Sequence, residues 1–157
     1  MKKVKAYPRK IKPRILIIDD DPDIRKVLTK ILNDEGYIVD EAKNGIEAKK
    51  KTEEKYYNIA LIDIRLPDIS GVELLTKIRE TKPKMRKIII TGYPKLQNAV
   101  EALNKGADAY IIKPLDMEKV SATIKEQLEK QRKEQKMTEE QLVQFIETRV
   151  KQIEQEK

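Results

Sequence analysis

The chain has 157 residues, enough for one compact domain with an appendage and too few for two domains of ordinary size. It contains no Cys and no His, which removes disulfides, thiolate catalysis, the commonest general base and the usual zinc ligands, so any metal must be held by oxygen. The net charge of +7 resides in the first 14 residues, where Lys2, Lys3, Lys5, Arg9, Lys10, Lys12 and Arg14 meet no acid, while residues 15–157 carry 27 charges of each sign; a solvated basic arm over residues 1–13 is expected there, rather than a nucleic-acid contact.

Arg14 to Asp19 is a short apolar run that reads as a strand buried on both faces, and it ends in three consecutive acids, Asp19, Asp20 and Asp21. Asp21 with Pro22 is a helix start, and Ile24, Val27, Leu28, Ile31 and Leu32 follow at helical spacing until Gly36. Tyr37 to Ala42 is a weaker strand, Asn44 and Gly45 read as a turn, and residues 46–55 form a charged outer helix. Ile59 to Ile62 is a second fully apolar strand with Asp63 where it surfaces, after which Pro67 and Gly71 turn the chain and Ser70 caps a helix through Val72, Leu75 and Ile78.

Lys87 to Thr91 is a fourth strand, broken by Gly92 and Pro94, and residues 96–105 form a helix with Ala99, Val100 and Leu103 facing inward. Tyr110 to Ile112 makes a fifth strand with Lys113 at its end, and Asp116 caps a last core helix through Val120, Ile124 and Leu128. Five strands alternating with five helices through short connections imply a parallel sheet covered on both faces. No apolar run approaches a membrane span and the first residues lack the core of a signal peptide, so a cytoplasmic protein is expected.

In such a sheet every strand that ends in a polar residue ends at the same edge, which gathers Asp19, Asp20, Asp63, Thr91 and Lys113. Three close carboxylates repel one another, and one Lys does not neutralise them; a hard divalent ion such as Mg²⁺, held by carboxylate, carbonyl and water oxygens, completes the balance. A shell left partly to water and phosphate oxygen suits phosphoryl chemistry. Asp63 is then the candidate nucleophile, Asp20 holds the metal directly, Asp19 supports it through water or from behind the direct ligands, and Thr91 and Lys113 each take a phosphoryl oxygen.

Four stretches carry a resemblance over residues 15–128: Ile-Leu-Ile-Ile-Asp-Asp-Asp-Pro, Leu-Ile-Asp-Ile-Arg-Leu-Pro-Asp-Ile-Ser-Gly, Ile-Ile-Ile-Thr-Gly-Tyr and Gly-Ala-Asp-Ala-Tyr-Ile-Ile-Lys-Pro. In this order and spacing they resemble the receiver domain of two-component response regulators. The resemblance implies a flavodoxin-like α/β fold with strand order 2-1-3-4-5, and an Asp63 that accepts phosphate from a histidine kinase or phosphotransfer protein. It implies Mg²⁺ bound by Asp20, Asp63 and the backbone carbonyl of Arg65 with Asp19 supporting, a switch through Thr91 and Tyr110, and a cis peptide before Pro114. It also implies that Arg65 and Tyr93 tune the access of hydrolytic water. Gly92 after Thr91 is similar to receivers that precede ATPase-type transcription activators, though no ATPase follows in this sequence. Such a domain is no enzyme beyond its own phosphorylation and dephosphorylation. A Mg²⁺-dependent phosphatase of the dehalogenase-like type also uses an Asp nucleophile and stays open as the alternative, although it wants a second Asp where Arg65 stands.

The receiver is expected over residues 14–129 and a helical extension over 130–157. Residues 129–136 are wholly polar and extend the fifth helix into solvent, and Thr138 with Gln141 is a capping-box signal for a new start. Leu142, Ile146, Val150 and Ile153 form an apolar stripe that needs a surface to bury against, and a homodimer, the receiver itself or another protein are the candidates. The extension is too short for a helix-turn-helix unit of usual size, so the expected output is contact with a downstream protein target.

Overall fold

The computed structural model describes residues 11–92 and 95–156. Ten elements alternate along the chain: β1 (Arg14–Ile18), α1 (Pro22–Asp34), β2 (Ile38–Ala42), α2 (Gly45–Glu54), β3 (Ile59–Asp63), α3 (Gly71–Lys77), β4 (Arg86–Thr91), α4 (Leu96–Asn104), β5 (Ala109–Ile112) and α5 (Met117–Gln155). The five strands form one parallel sheet in the order β2-β1-β3-β4-β5. Residues 1–10 of the basic arm lie outside the described residues, as do Tyr93 and Pro94.

The period of two along the strands divides the core. Leu16, Ile18, Ala60, Ile62 and Ile89 meet Ala48, Val72, Leu75 and Ala102 on one face, the side of α2, α3 and α4. Ile15, Ile17, Ile59, Leu61, Ile88 and Ile111 meet Leu28, Leu32, Val120 and Ile124 on the other, the side of α1 and α5. The central strand β3 is buried along its whole length, which is why its sequence is continuously apolar up to Asp63. Gly36 and Gly106, with φ of 100° and 106°, let the chain leave α1 and α4 through the left-handed region.

Several local expectations change. Asn44 and Gly45 do not form a free turn: Asn44 is the N-cap of α2, its side chain accepting from the Glu47 N–H at 2.8 Å, and Gly45 is the first helical residue. Val27 is exposed, and α1 packs through Leu28 and Leu32. On α4, among the described side chains, Ala102 is buried and Ala99 half-buried, whereas Val100 and Leu103 are exposed. A short helix set close against α3 buries a narrow stripe of small side chains, and the larger residues beside that stripe are left outside it.

The largest difference is at the C-terminus. α5 is a single helix of 39 residues that runs on through residues 129–136 with no new start at Thr138. Thr138 caps nothing; its hydroxyl donates back to the Glu134 carbonyl at 3.0 Å inside the helix. Nor are residues 129–136 wholly in solvent, because Gln131 is buried and Glu134 pairs with Arg86 at the start of β4. Gln131 donates to the carbonyls of Lys84 (2.8 Å) and Asn58 (3.1 Å) and accepts from the Asn58 side chain at 2.9 Å. These are backbone groups at the amino edge of the sheet, where the Asn58 carbonyl also accepts from the Arg86 N–H at 2.9 Å, and a buried polar side chain adds a second partner there and reaches the Lys84 carbonyl beside it.

Candidate functional site

β1 and β3 are neighbours in register, Ile18 opposite Ile62, so the residues that follow them emerge side by side at the carboxyl edge. There Asp19, Asp20 and Asp63 each offer an oxygen within 4.8 Å of the others. Asp19 and Asp63 are buried and Asp20 is exposed. Lys113, one residue past β5, places Nζ 3.7 Å from Oδ2 of Asp19 and 3.7 Å from Oδ2 of Asp63. Together with Ile24, Arg65 and Gly92 these residues line an open cleft of about 320 Å³.

The two buried carboxylates are held in place. The Asp21 N–H donates to Oδ1 of Asp19 at 2.9 Å, and Arg25 donates through Nη1 to the Asp19 carbonyl at 2.7 Å while its Nε pairs with Glu41 at 3.1 Å. The Arg65 N–H donates to Oδ1 of Asp63 at 3.2 Å, so Oδ2 is the oxygen turned to Lys113. Behind Asp63 the chain folds back so closely that Gly71 has no room for a side chain: a Cβ there would lie 2.3 Å from the Asp63 carbonyl oxygen. The loop between them is tied down by Asp68, whose carboxylate accepts from the N–H groups of Gly45 and Ile46, both at 2.9 Å.

Burial pushes the Asp19 carboxyl up to about 6; the Asp21 N–H acts against this, the Asp63 charge adds to it, and Lys113 opposes it again. A carboxyl that resists ionisation beside two others marks a cluster short of positive charge. Two oxygens on one Mg²⁺ are at most about 4.2 Å apart, so the three carboxylates are near the spacing an octahedral oxygen shell demands, with small movements or a bridging water for the outermost. The donor set, oxygen only and anionic, fits a hard divalent ion.

Thr91 ends β4 fully buried, and the Lys113 N–H donates to its carbonyl at 2.7 Å. Gly92, not Thr91, lines the cleft. Tyr110 packs against the core on the α3 and α4 side, and its hydroxyl is buried without a hydrogen bond among the described residues. Burial raises its pKa, and the neighbouring Thr91 side chain opposes that rise. The peptide before Pro114 is cis. The residues expected at the site therefore divide into five at the cleft and two, Thr91 and Tyr110, behind it. Reading the sequence did not single out Arg25, Glu41 or Asp68; they hold the loops that carry the site, and their only signal is polar side chains in otherwise ordinary helix and loop positions.

An open parallel sheet with an acidic cluster and a lysine at its carboxyl edge defines a class, and the comparisons agree on which. The response regulator receiver domain model matches residues 15–125, and the chain belongs to that family. It is 40% identical over 114 residues to the transcriptional regulatory protein ZraR of Klebsiella oxytoca, covering 73% of this chain and 26% of that protein. It is 37% identical over 112 residues to the transcriptional regulatory protein ResD of Bacillus subtilis, covering 71% and 46%. The chain thus spans about a quarter to a half of these relatives. Among solved structures, a CheY-like receiver domain protein from Methanospirillum hungatei aligns with a TM-score of 0.76 at 47% identity, covering 79% of this chain and 99% of that one. The response regulator TrrA from Thermotoga maritima, solved in complex with Mg²⁺ and BeF, aligns with a TM-score of 0.66 at 34% identity, covering 73% and 98%. These relatives lend nothing to the phosphatase alternative. Nor do they support setting nucleic acid aside, since the curated ones are named transcriptional regulators.

Proposed function

We propose that this protein is a phosphorylation-controlled signalling module in which Asp63 accepts a phosphoryl group in a Mg²⁺-dependent reaction. The observation that carries it is the placement of Asp63, its Oδ1 held by the Arg65 N–H and its Oδ2 3.7 Å from the Lys113 ammonium, in a cleft shared with Asp19 and Asp20. Asp20, Asp63 and the Arg65 carbonyl hold the ion, with Asp19 supporting. When bound, Mg²⁺ supplies charge neutralisation and a fixed position for the phosphoryl oxygens.

The Asp63 carboxylate attacks phosphorus and forms a P–O bond as the P–N bond of a phosphohistidine breaks; the imidazole leaves with the electron pair and takes a proton from water. With acetyl phosphate the bond broken is P–O and acetate leaves. Lys113 pairs with one equatorial oxygen, where negative charge accumulates in the transition state. The phosphoryl group brings charge and acceptors to a site with a buried hydroxyl directly behind it, and Thr91 moving toward that group draws Tyr110 with it. The donor is a histidine kinase or phosphotransfer protein and the output a protein contact; no chemistry is performed on an external substrate beyond the transfer. No helix among the described residues is long and apolar enough to cross a membrane, in keeping with a cytoplasmic setting.

The test is incubation with acetyl phosphate and Mg²⁺ followed by intact mass measurement. One phosphoryl adduct is expected on the native protein and none on Asp63→Ala, while a small phosphoester is not turned over. An undiminished adduct in Asp63→Ala would place the nucleophile elsewhere, and multiple turnover of the ester would favour the phosphatase.

A further inference from the structure

Beyond Glu134 every described residue of α5 is exposed, yet the helix carries apolar side chains for two more heptads. Val143, Ile146, Val150 and Ile153 are spaced three, four and three residues apart, and each is about half exposed. Written as a heptad, Val143 and Val150 occupy a, and Ile146 and Ile153 occupy d, so all four seam positions hold β-branched aliphatic residues. We propose that this face is the seam of a parallel two-stranded coiled coil, and that its occupant is a second copy of this chain; Val at a suits two strands, whereas Ile at d suits more, so the number of chains is part of the test.

The flanking charges choose the occupant and its direction. The e positions are Glu147 and Glu154, and the g positions are Leu142, Arg149 and Glu156. In a parallel pair each g residue faces the e residue five positions later on the other chain, so Arg149 meets Glu154 of the second copy, twice by symmetry, and no like charges meet. In an antiparallel pair with the same apolar layers, g faces g and e faces e; Arg149 then meets Arg149 and Glu147 meets Glu147. Among the described residues Arg149 bonds Gln152, at 3.1 Å within the exposed helix, so turning it to the seam breaks no buried contact there.

The receiver leaves room for this pairing. At about 100° per residue, the mean direction of the four seam residues is rotated by about 90° from that of Val120, Ile124, Gln127 and Gln131, which face the sheet. Two-fold pairing along the seam therefore sets the two receivers on opposite sides of the pair. It also leaves the cleft around Asp63 open, since the seam extends from the amino edge of the sheet and the cleft lies at the carboxyl edge. Two heptads are too few to associate as free peptides, but here the helix is already nucleated and anchored by the receiver, so association need not pay for helix formation.

The pairing is independent of phosphoryl transfer and is tested on unphosphorylated full-length protein. Sedimentation over a concentration series should carry the mass from 18.3 kDa toward twice that value. Ile146→Asp with Val150→Asp should hold it at the monomer while circular dichroism shows the receiver folded; Phe145→Ala, outside the seam, should not alter it. Because the native chain has no Cys, Ile153→Cys is a clean reporter of direction. In a parallel pair the two d positions face each other within disulfide reach, and mild oxidation should cross-link this variant to completion. A monomer at every concentration would overturn the proposal. So would a three-chain mass, or cross-linking only when Ile153→Cys is mixed with Val143→Cys.

Discussion

At the residue scale the site is governed by an excess of carboxylates confined by backbone. The Asp19 carboxyl is raised to about 6, so in the absence of divalent ions the folded protein holds a proton there that the unfolded chain releases near pH 4. That contribution is present at low pH, is lost as pH rises through about 4 to 6, and flattens above. Urea titrations of metal-free protein between pH 4 and 7 should show this decline, and Asp19→Asn should remove most of it and be the more stable protein at pH 7. A native stability that rises over that interval would mean that Lys113 outweighs burial.

Gly71 makes a second residue-scale point. A methyl group there meets the Asp63 carbonyl and, at 2.8 Å, the Ile64 Cα, both backbone atoms that cannot swing aside. Gly71→Ala should cost about 1–3 kcal/mol, the range for overpacking a tight interior, and should also slow phosphoryl labelling because relief of the clash displaces Asp63 itself. Thermal melts and labelling time courses measure the two effects separately; loss of stability with unchanged labelling would show that the strain escapes through α3.

At the element scale α5 is the least ordinary part. Val120 and Ile124 anchor it in the core, and Gln127, Gln131 and Glu134 continue that face with polar groups. Gln127 reaches the Asp108 carbonyl at 3.3 Å, and Arg86 joins Asp108 at 3.2 Å as well as Glu134. One side chain per turn thus fastens the helix to the amino edge of the sheet. Gln131→Ala leaves the Asn58 and Lys84 carbonyls without this donor and should destabilise the protein by about 1–3 kcal/mol. Amide exchange should quicken from about residue 127 onward while Val120 and Ile124 stay protected. Exchange unchanged along the helix would show that the Arg86 pair with Glu134 suffices.

At the scale of the whole molecule the acidic edge links metal binding to folding. The unfolded chain disperses Asp19, Asp20 and Asp63, so an ion that gathers them stabilises only the folded state; at ten times its Kd, Mg²⁺ should add about 1.4 kcal/mol. Melting with and without Mg²⁺ at pH 7 checks this, and Asp20→Ala should lose the increment while keeping the fold. A midpoint unmoved by Mg²⁺ in protein that still labels would mean that the cluster is held open by Lys113 alone.

How much of this was legible beforehand differs from element to element. The strands β1, β3 and β4 and their order of polar endings were readable because a strand buried on both faces has to be continuously apolar, and the first polar residue marks where it surfaces. That alone brought Asp19, Asp63 and Thr91 to one edge, with Lys113 joining them from the end of β5, and the motifs around them supplied the strand order. The sequence could not show which side of a short helix is inward when small and large residues alternate around it, so Ala102 lay unnoticed beside Val100 and Leu103. It could not show that Gln131 is buried either, because a polar residue in a polar run is told from its neighbours only by the carbonyls it meets, and those belong to Asn58 and Lys84, 73 and 47 positions away. Local periodicity and strand endings are properties of neighbouring residues and are written in the chain. Burial of a polar side chain, the closeness of Gly71 to Asp63 and the inward seat of Tyr110 are properties of distant segments brought together, and only the tertiary structure decides them.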